Sequence, residues 1–204
     1  VQDQMPLSLL TYKCLIISPG DVDLARASVF EALVRWNSSI GRALDLRVDP
    51  IMWETHARPE MGSPPQDVLN RQIVDDADFG IALFGARLGT PTATFGSGSV
   101  EEIERLRKVG AQVMVYFATS PIPHDVDLTQ LSALRAFQER LSTESLYFEY
   151  DSEAQLQNHV THHVTAHLSE RAKRDRFTGG TFIEPRTSDP ESPKAGQIWL
   201  RTDL

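Results

Sequence analysis

The hydrophobic pattern of the chain alternates between short apolar runs and longer stretches with helical spacing. The runs, which predict strands, fall at residues 12–17, 45–53, 79–84, 113–118 and 146–150. Between them, apolar residues recur three and four positions apart, as they do on one face of a helix. Strands that alternate with helices in this way predict an α/β fold with a five-stranded parallel sheet covered by helices on both faces.

Local signals predict where several helices begin and end. A turn at residues 18–20 follows the first strand, and Asp21 is predicted to cap the next helix. Ser63 is predicted to cap another helix, with Gln66 completing a capping box. Two more helices are predicted over residues 128–141 and 153–171.

The segment after the third predicted strand carries a candidate chemical group. A turn with two glycines at 85–92 leads to the acidic helix start at 97–110. In open α/β sheets, ligands bind at the carboxyl ends of the strands, facing the first turn of the next helix. Glu101 and Glu104 each have a basic residue four positions on, as surface ion pairs do. Glu102 has none at that spacing, which singles it out as a candidate functional carboxylate.

Several features also have structural interpretations. Glu102 can complete a capping box with Ser99 and have no chemical role. The histidines that recur every four residues over 159–167 have a metal-binding spacing. They flank an apolar stripe with no carboxylate placed to help, so we predict a packed or solvated flank and no metal site. Cys14, which lies in an apolar strand, is predicted to be a small buried hydrophobe.

Composition bounds the class of protein and its partners. At 204 residues, one main domain is expected at 1–172, with 173–204 as a linker and an extension that either starts another module or adds to the sheet. A net charge of −8 argues against broad nucleic-acid affinity. No apolar run approaches the roughly 20 residues that span a bilayer, and the start does not resemble a signal peptide. A single cysteine fits a reducing compartment, so we expect a cytoplasmic protein.

Five motifs occur in a particular order along the chain: Ser18-Pro-Gly-Asp-Val22, Trp53-Glu54, Pro65-Gln66, Gly89-Thr-Pro-Thr92 and Ser97-Gly-Ser-Val-Glu-Glu102. With them the chain resembles, over roughly residues 10–172, the bacterial TIR-like domains that open with an SPGDV signature. Those domains are often described as a domain of unknown function on multidomain defence or signalling proteins. The resemblance implies a flavodoxin-like five-stranded parallel sheet, which agrees with the strand count.

The resemblance also implies an activity. Many bacterial TIR domains cleave NAD at the nicotinamide–ribose bond with one glutamate, followed by an apolar residue, in the helix after the third strand. Glu102 and Ile103 match that pattern, whereas Gly98 stands where a tryptophan is common. The implied protein is an NAD hydrolase with no separate cofactor. It would be activated by homo-oligomerisation through TIR-like faces and act in antiphage defence or signalling beside a sensor or downstream module.

One carboxylate is enough for this chemistry. Ordinary glycosidases need a second carboxyl group to protonate an alkoxide leaving group, whereas the cationic nicotinamide of NAD leaves as a neutral molecule. Glu102 would stabilise the positive charge that develops on the ribose. We expect the dipole of the helix to keep Glu102 ionised in the first helical turn.

The predicted substrate-binding residues lie in three loops and are Ser18, Pro19, Gly20, Trp53, Gly85 and Arg87. The turn formed by the first three, which precedes a helix start, is predicted to supply backbone N–H groups to the diphosphate. The arginine offers a cation, and the tryptophan offers a ring for stacking. The loop at 54–62 is expected to be a mobile gate and an assembly surface. Each assignment has a structural alternative. In these alternatives, residues 18–20 form a simple turn with no ligand, Arg87 is a solvated loop residue, and Trp53 is a core residue.

Two other functions remain open from the sequence. The first is a non-catalytic TIR-type module that recruits partners through its exposed faces. The second is a nucleoside deoxyribosyltransferase-like enzyme, because those enzymes share a flavodoxin-like sheet and also use a glutamate on ribose. A P-loop NTPase is excluded, since no glycine loop is followed by Lys-Ser or Lys-Thr.

Overall fold

A computed structural model describes the backbone of residues 9–179, 183–186 and 198–201 and the side chains of residues 9–176. The chain forms two compact units, residues 1–164 and residues 165–204. The predicted division at residue 172 stays a prediction. None of the helices in the described ranges is long and apolar enough to cross a membrane.

The first unit is built on a five-stranded parallel sheet. Its strands are β1 (Leu10–Ile17), β2 (Leu46–Ile51), β3 (Phe79–Phe84), β4 (Gln112–Ala118) and β5 (Phe148–Tyr150). They lie in the order β2-β1-β3-β4-β5, and every neighbouring pair is parallel. This is the flavodoxin-like order, with its topological switch point between β1 and β3. The predicted fold class is confirmed.

Helices cover the sheet. They are α1 (Asp23–Trp36), α2 (Trp53–His56), α3 (Pro65–Gln72), α4 (Gly98–Lys108), α5 (Leu128–Glu144) and α6 (Glu153–Gly179). The last helix is longer than predicted, because it continues through the charged run 171–176, which the sequence assigned to a linker. Arginine, lysine and alanine are good helix formers, so that run extends the helix rather than ending it.

Two short strands follow α6 in the chain. β6 (Ile183–Arg186) and β7 (Ile198–Arg201) pair in parallel as a separate two-stranded sheet. One of the two predicted alternatives, that the segment at 198–201 adds a strand to the five-stranded sheet, is therefore wrong. In the rest of the predicted linker, residues 183–186 form β6, and residues 180–182 and 187–196 lie outside the described residues.

The core lies on both faces of the central strands. Every residue of β3 is buried, as expected for a strand covered by helices on both faces. The phenyl rings of Phe84 and Phe117 stack with centroids 5.4 Å apart, and that of Phe137 in α5 lies 5.3 Å from Phe84. Cys14 is fully buried, and burial raises the pKa of its thiol, so its predicted role as a small hydrophobe is confirmed. Pro50 is tolerated because β2 is an edge strand.

Two predicted helix caps are wrong, for the same reason. Asp21 does not cap α1; its Oδ2 accepts a hydrogen bond from the backbone N of Ala86 at 2.8 Å. That bond ties the β1–α1 loop to the end of β3. Ser63 does not cap α3, which begins without a side-chain cap, and Gln66 reaches across to α4 instead of completing a capping box. For Asp21 and Gln66, partners distant in sequence replaced the local ones.

Candidate functional site

The start of α4 fixes the position of the candidate glutamate. Ser97 is the N-cap residue, and its Oγ accepts a hydrogen bond from the backbone N of Val100 at 3.1 Å. The acidic residue of the first turn is therefore Glu101, and Glu102 lies just beyond it. Since Ser99 is not the cap, the capping-box alternative for Glu102 is wrong.

Glu102 is partly buried against α3. Nε2 of Gln66 donates to Oε1 of Glu102 at 3.3 Å and to Oδ1 of Asn70 at 3.2 Å. The carboxamide of Gln66 lies directly over Gly98, where a Cβ would be only 2.6 Å from Oε1 of Gln66. The absence of a side chain at Gly98 thus leaves room for the residue that holds Glu102.

The neighbouring carboxylate, that of Glu101, is held in a network of its own. Nδ2 of Asn70 donates to its Oε1 at 2.7 Å, and Oγ1 of Thr92 donates to its Oε2 at 2.7 Å. Asn70 is only 1% exposed, whereas Glu101 and Thr92 are partly buried. The predicted surface pair of Glu101 with Arg105 is wrong, because Arg105 makes a bidentate pair with Asp75 at 2.6 and 2.8 Å.

Glu104 likewise does not pair with Lys108 as predicted. Its carboxylate lies 3.5 Å from the guanidinium groups of Arg107 and Arg140. These two arginines, with Phe95, Lys108 and other residues of α4, line a cavity of about 640 Å³ beside the helix. Glu101 also lines this cavity, whereas Glu102 does not.

The pKa of Glu102 is raised to about 7, mainly because burial disfavours the charged form. The hydrogen bond from Gln66 opposes this shift, and the negative charge of Glu101 adds to it. The expectation that the helix dipole keeps Glu102 ionised does not hold, because burial raises its pKa and Glu102 lies beyond the first turn, where the dipole acts. A carboxyl group poised near neutral pH is suited to acid–base or electrostatic work.

The predicted turn at residues 18–20 lies beside the start of α4. Gly89 has a φ of +113°, and a Cβ there would lie 3.2 Å from Cβ of Ser97 and 3.6 Å from Cβ of Pro19. The turn is also contacted by Arg26, whose Nη1 donates to Oγ of Ser18 at 3.3 Å. No local signal in the sequence indicated that Arg26 organises this turn.

Arg26 connects the turn to α2, the short helix that follows β2. Its Nη1 lies 2.7 Å from Oε1 of Glu54, and its Nη2 pairs with Asp23. Trp53, the first residue of α2, is 51% exposed, so the alternative of a core tryptophan is wrong. The predicted loop at 54–62 therefore begins with a helical turn.

Gly85 and Arg87 lie at a different place on the same edge of the sheet. A Cβ on Gly85 would be 2.8 Å from Cγ1 of Val22 and 2.9 Å from Oδ2 of Asp21, so this glycine allows close packing of the β1–α1 loop. With the ends of β4 and β5 and the start of α5, Gly85 and Arg87 line a cavity of about 920 Å³. Neither Glu102 nor the turn at 18–20 is among its lining residues.

The histidine flank of α6 is packed, as predicted. The ring of His163 lies 4.4 Å from that of Phe148, and its Nδ1 is 2.8 Å from the hydroxyl of Tyr116. His159 stacks on His163 at 5.7 Å. Across the described part of the chain, no group of three or more His, Cys, Asp or Glu side chains is placed to hold a metal ion.

Comparison with known proteins identifies a family. Residues 20–165 match the model of a family described as "Domain of unknown function (DUF4062)". Oxidised flavodoxin 1 from Bacillus cereus is 12% identical, with a TM-score of 0.34, over 78% of this chain and 97% of that chain. RosB with bound 8-demethyl-8-formylriboflavin-5'-phosphate is 10% identical, with a TM-score of 0.33, over 90% of this chain and 94% of that chain. No curated protein matches the chain.

Proposed function

The chain belongs to the DUF4062 family, and we propose that it is a TIR-like NAD hydrolase that cleaves the nicotinamide–ribose bond. One observation supports this proposal above the others. Glu102 lies near the start of the helix that follows β3, takes no part in capping that helix, and has its pKa raised to about 7. Such a group at the carboxyl edge of a flavodoxin-like sheet has the position and the chemistry that the resemblance assigns to the catalytic glutamate.

In the proposed reaction, the bond between ribose C1' and the nicotinamide nitrogen breaks, and its electron pair goes to the pyridinium ring. The ionised carboxylate of Glu102 stabilises the cation that develops on the ribose. Water then adds to C1' and releases a proton. Gln66 is a positioning residue here, because its bond to Oε1 orients the carboxylate.

Part of the predicted substrate site is compatible with this reaction. The turn at 18–20 lies beside the start of α4, and the exposed ring of Trp53 is available for stacking. Arg26 already has Glu54 and Asp23 as partners, so binding of the diphosphate depends on backbone N–H groups of the turn. Gly85 and Arg87 line the separate cavity described above.

The wider proposal rests on the resemblance alone. It includes activation by self-association and a role as an effector in bacterial antiphage defence or signalling. A requirement for assembly predicts that specific activity rises with protein concentration. A non-catalytic interaction module predicts no turnover at any concentration, and a nucleoside deoxyribosyltransferase predicts base exchange on deoxynucleosides without use of NAD.

The test is nicotinamide release from NAD, followed over a range of protein concentrations with and without a clustering tag. The wild-type protein is expected to release nicotinamide when clustered, and Glu102→Gln is expected to lose at least about 100-fold of this activity. Glu104→Gln is the matched control, since it removes a carboxylate from the same helix that pairs with surface arginines.

Circular dichroism and thermal unfolding establish that each variant is folded. Equal activity of wild type and folded Glu102→Gln rejects the assignment of the catalytic residue. No turnover by clustered wild type rejects the hydrolase, and base exchange on deoxynucleosides replaces it with the transferase.

A further inference from the structure

The cavity of about 920 Å³ at the ends of β3, β4 and β5 has a strongly acidic lining. Its walls carry six carboxylates and two guanidinium groups; the carboxylates are those of Asp21, Asp23, Asp125, Asp127, Glu149 and Glu153. The guanidinium groups, on Arg87 and Arg135, are both exposed to solvent. A concave site with this balance attracts positive charge and repels anions.

Some of these carboxylates already have structural roles, and others do not. Asp127 caps α5 through the backbone N groups of Thr129 and Gln130. By contrast, neither Asp125 nor Glu153 makes an ion pair with any side chain of residues 9–176. Two carboxylates of the cavity therefore remain available to a ligand.

A second, independent observation concerns Tyr150, the last residue of β5. It lines the same cavity and is 5% exposed, and its hydroxyl has no hydrogen-bond partner among the described residues. Burial and the carboxylates of Asp21 and Glu153 raise its pKa to about 12. The hydroxyl therefore stays neutral, and its oxygen can accept an N–H donor. An unpaired hydroxyl in a buried position is unfavourable, and a ligand that supplies the missing partner relieves this cost.

The walls of the cavity also include apolar groups. Phe117 and Leu134 are buried beneath it, and Ile122 is 45% exposed at its rim. A site with an apolar floor, a few polar groups and this volume has the dimensions of a small-molecule site. Its lining therefore suits a ligand that combines an aliphatic part with a positively charged group.

We propose that this cavity binds a small organic cation, an amine or guanidinium on an aliphatic stem. Its charged group lies among Asp21, Glu153 and the hydroxyl of Tyr150, and its stem lies against the apolar floor. Glu102 does not line this cavity, so this proposal does not depend on the proposed hydrolase activity.

The test is calorimetric titration of the whole chain with agmatine, which carries a guanidinium and an amine on an aliphatic stem. Saturable binding is expected, and it should weaken as salt increases because the attraction is between charges. Glutarate, a dianion of similar length, is the comparison compound and is expected not to bind. Absence of saturable binding at millimolar agmatine overturns the proposal, as does equal binding of glutarate.

Three variants locate the site. Glu153→Gln is expected to weaken agmatine binding by roughly 10-fold, because it removes a charged partner. Tyr150→Phe removes only the hydroxyl and is expected to weaken binding by roughly 3-fold to 10-fold. Glu139→Gln, on the exposed face of α5 and outside the cavity, is expected to leave binding unchanged. If all three variants bind alike, agmatine is bound elsewhere and the proposal fails.

Discussion

Two polar regions of the molecule differ in whether their buried polar groups have hydrogen-bond partners. Beside the contact between α3 and α4, Glu101 and Glu102 accept hydrogen bonds from three neighbouring side chains, those of Gln66, Asn70 and Thr92. In the acidic cavity, the hydroxyl of Tyr150 is buried without a partner from the described ranges. Polar groups that bond to one another stabilise the fold and shift the pKa of Glu102. Polar groups without a partner are available to a ligand. The comparison predicts that similar mutations have opposite effects in the two regions.

Asn70→Ala is expected to destabilise the fold more than any other change in either region. Asn70 is 1% exposed and connects Gln66 to Glu101, so its loss leaves the partly buried carboxylate of Glu101 with one partner fewer and removes a partner of Gln66. We expect a loss of about 3 kcal/mol in the free energy of unfolding, measured with urea. Asn158→Ala, at an exposed position of α6, is the control and should change stability by less than about 0.5 kcal/mol. Similar losses in both variants would mean that the network contributes nothing.

Glu102→Gln should change stability in a pH-dependent way. The folded-state pKa of about 7 exceeds the ordinary value of 4.5, so the native state binds more protons than the unfolded state between these values. Wild-type stability therefore falls as pH rises from 4.5 to 7. Glutamine does not ionise, so the variant should be more stable than wild type by about 2 kcal/mol at about pH 8.

The same variant should lose this advantage at about pH 4, where Glu102 is protonated in both states. Urea unfolding at several pH values measures the difference. Equal stability of the two proteins at every pH would show that the carboxylate is solvated and its pKa ordinary.

Two tyrosines allow a paired hydroxyl to be compared with an unpaired one. The hydroxyl of Tyr116 is 2.8 Å from Nδ1 of His163, whereas that of Tyr150 has no partner in the described part of the chain. Tyr116→Phe is expected to lower the free energy of unfolding by about 1 kcal/mol. Tyr150→Phe is expected to leave it unchanged or raise it by about 0.5 kcal/mol. A cost at Tyr150 equal to that at Tyr116 would contradict the open character of the cavity.

Gly98→Ala has the smallest expected effect on stability but a specific effect on chemistry. The new methyl group would meet the end of the Gln66 side chain, which can move aside, so stability should change by less than about 0.5 kcal/mol. Displacing Gln66 removes the bond that lowers the pKa of Glu102, so that pKa should rise further. NMR titration measures it, and Gly96→Ala, where a Cβ has ordinary contacts, is the control.

The sequence predicted the features that depend on local pattern. The apolar periodicity gave five strands and their helices, and the spacing of charges singled out Glu102. It missed features that depend on partners far along the chain. Asp21 bonds to Ala86, which is 65 residues away, and so leaves α1 uncapped. Gln66 reaches Glu102 across 36 residues rather than capping its own helix.

The acidic cavity was missed for a related reason. Its carboxylates come from several loops and helix ends, and each one looks like an ordinary surface residue in the sequence. The environment of the Tyr150 hydroxyl is a property of packing, which no local signal carries. Burial likewise decided the pKa of Glu102, against the helix dipole that the sequence emphasised.

The pH dependence of nicotinamide release from NAD by clustered wild-type protein tests the central claim most directly. Because kcat/KM reports the free enzyme, its value should rise with pH through a midpoint near the Glu102 pKa of about 7 and then level off. Folded Glu102→Gln should show no such rise. A profile that is flat across this range, or one that Glu102→Gln reproduces, would contradict the account.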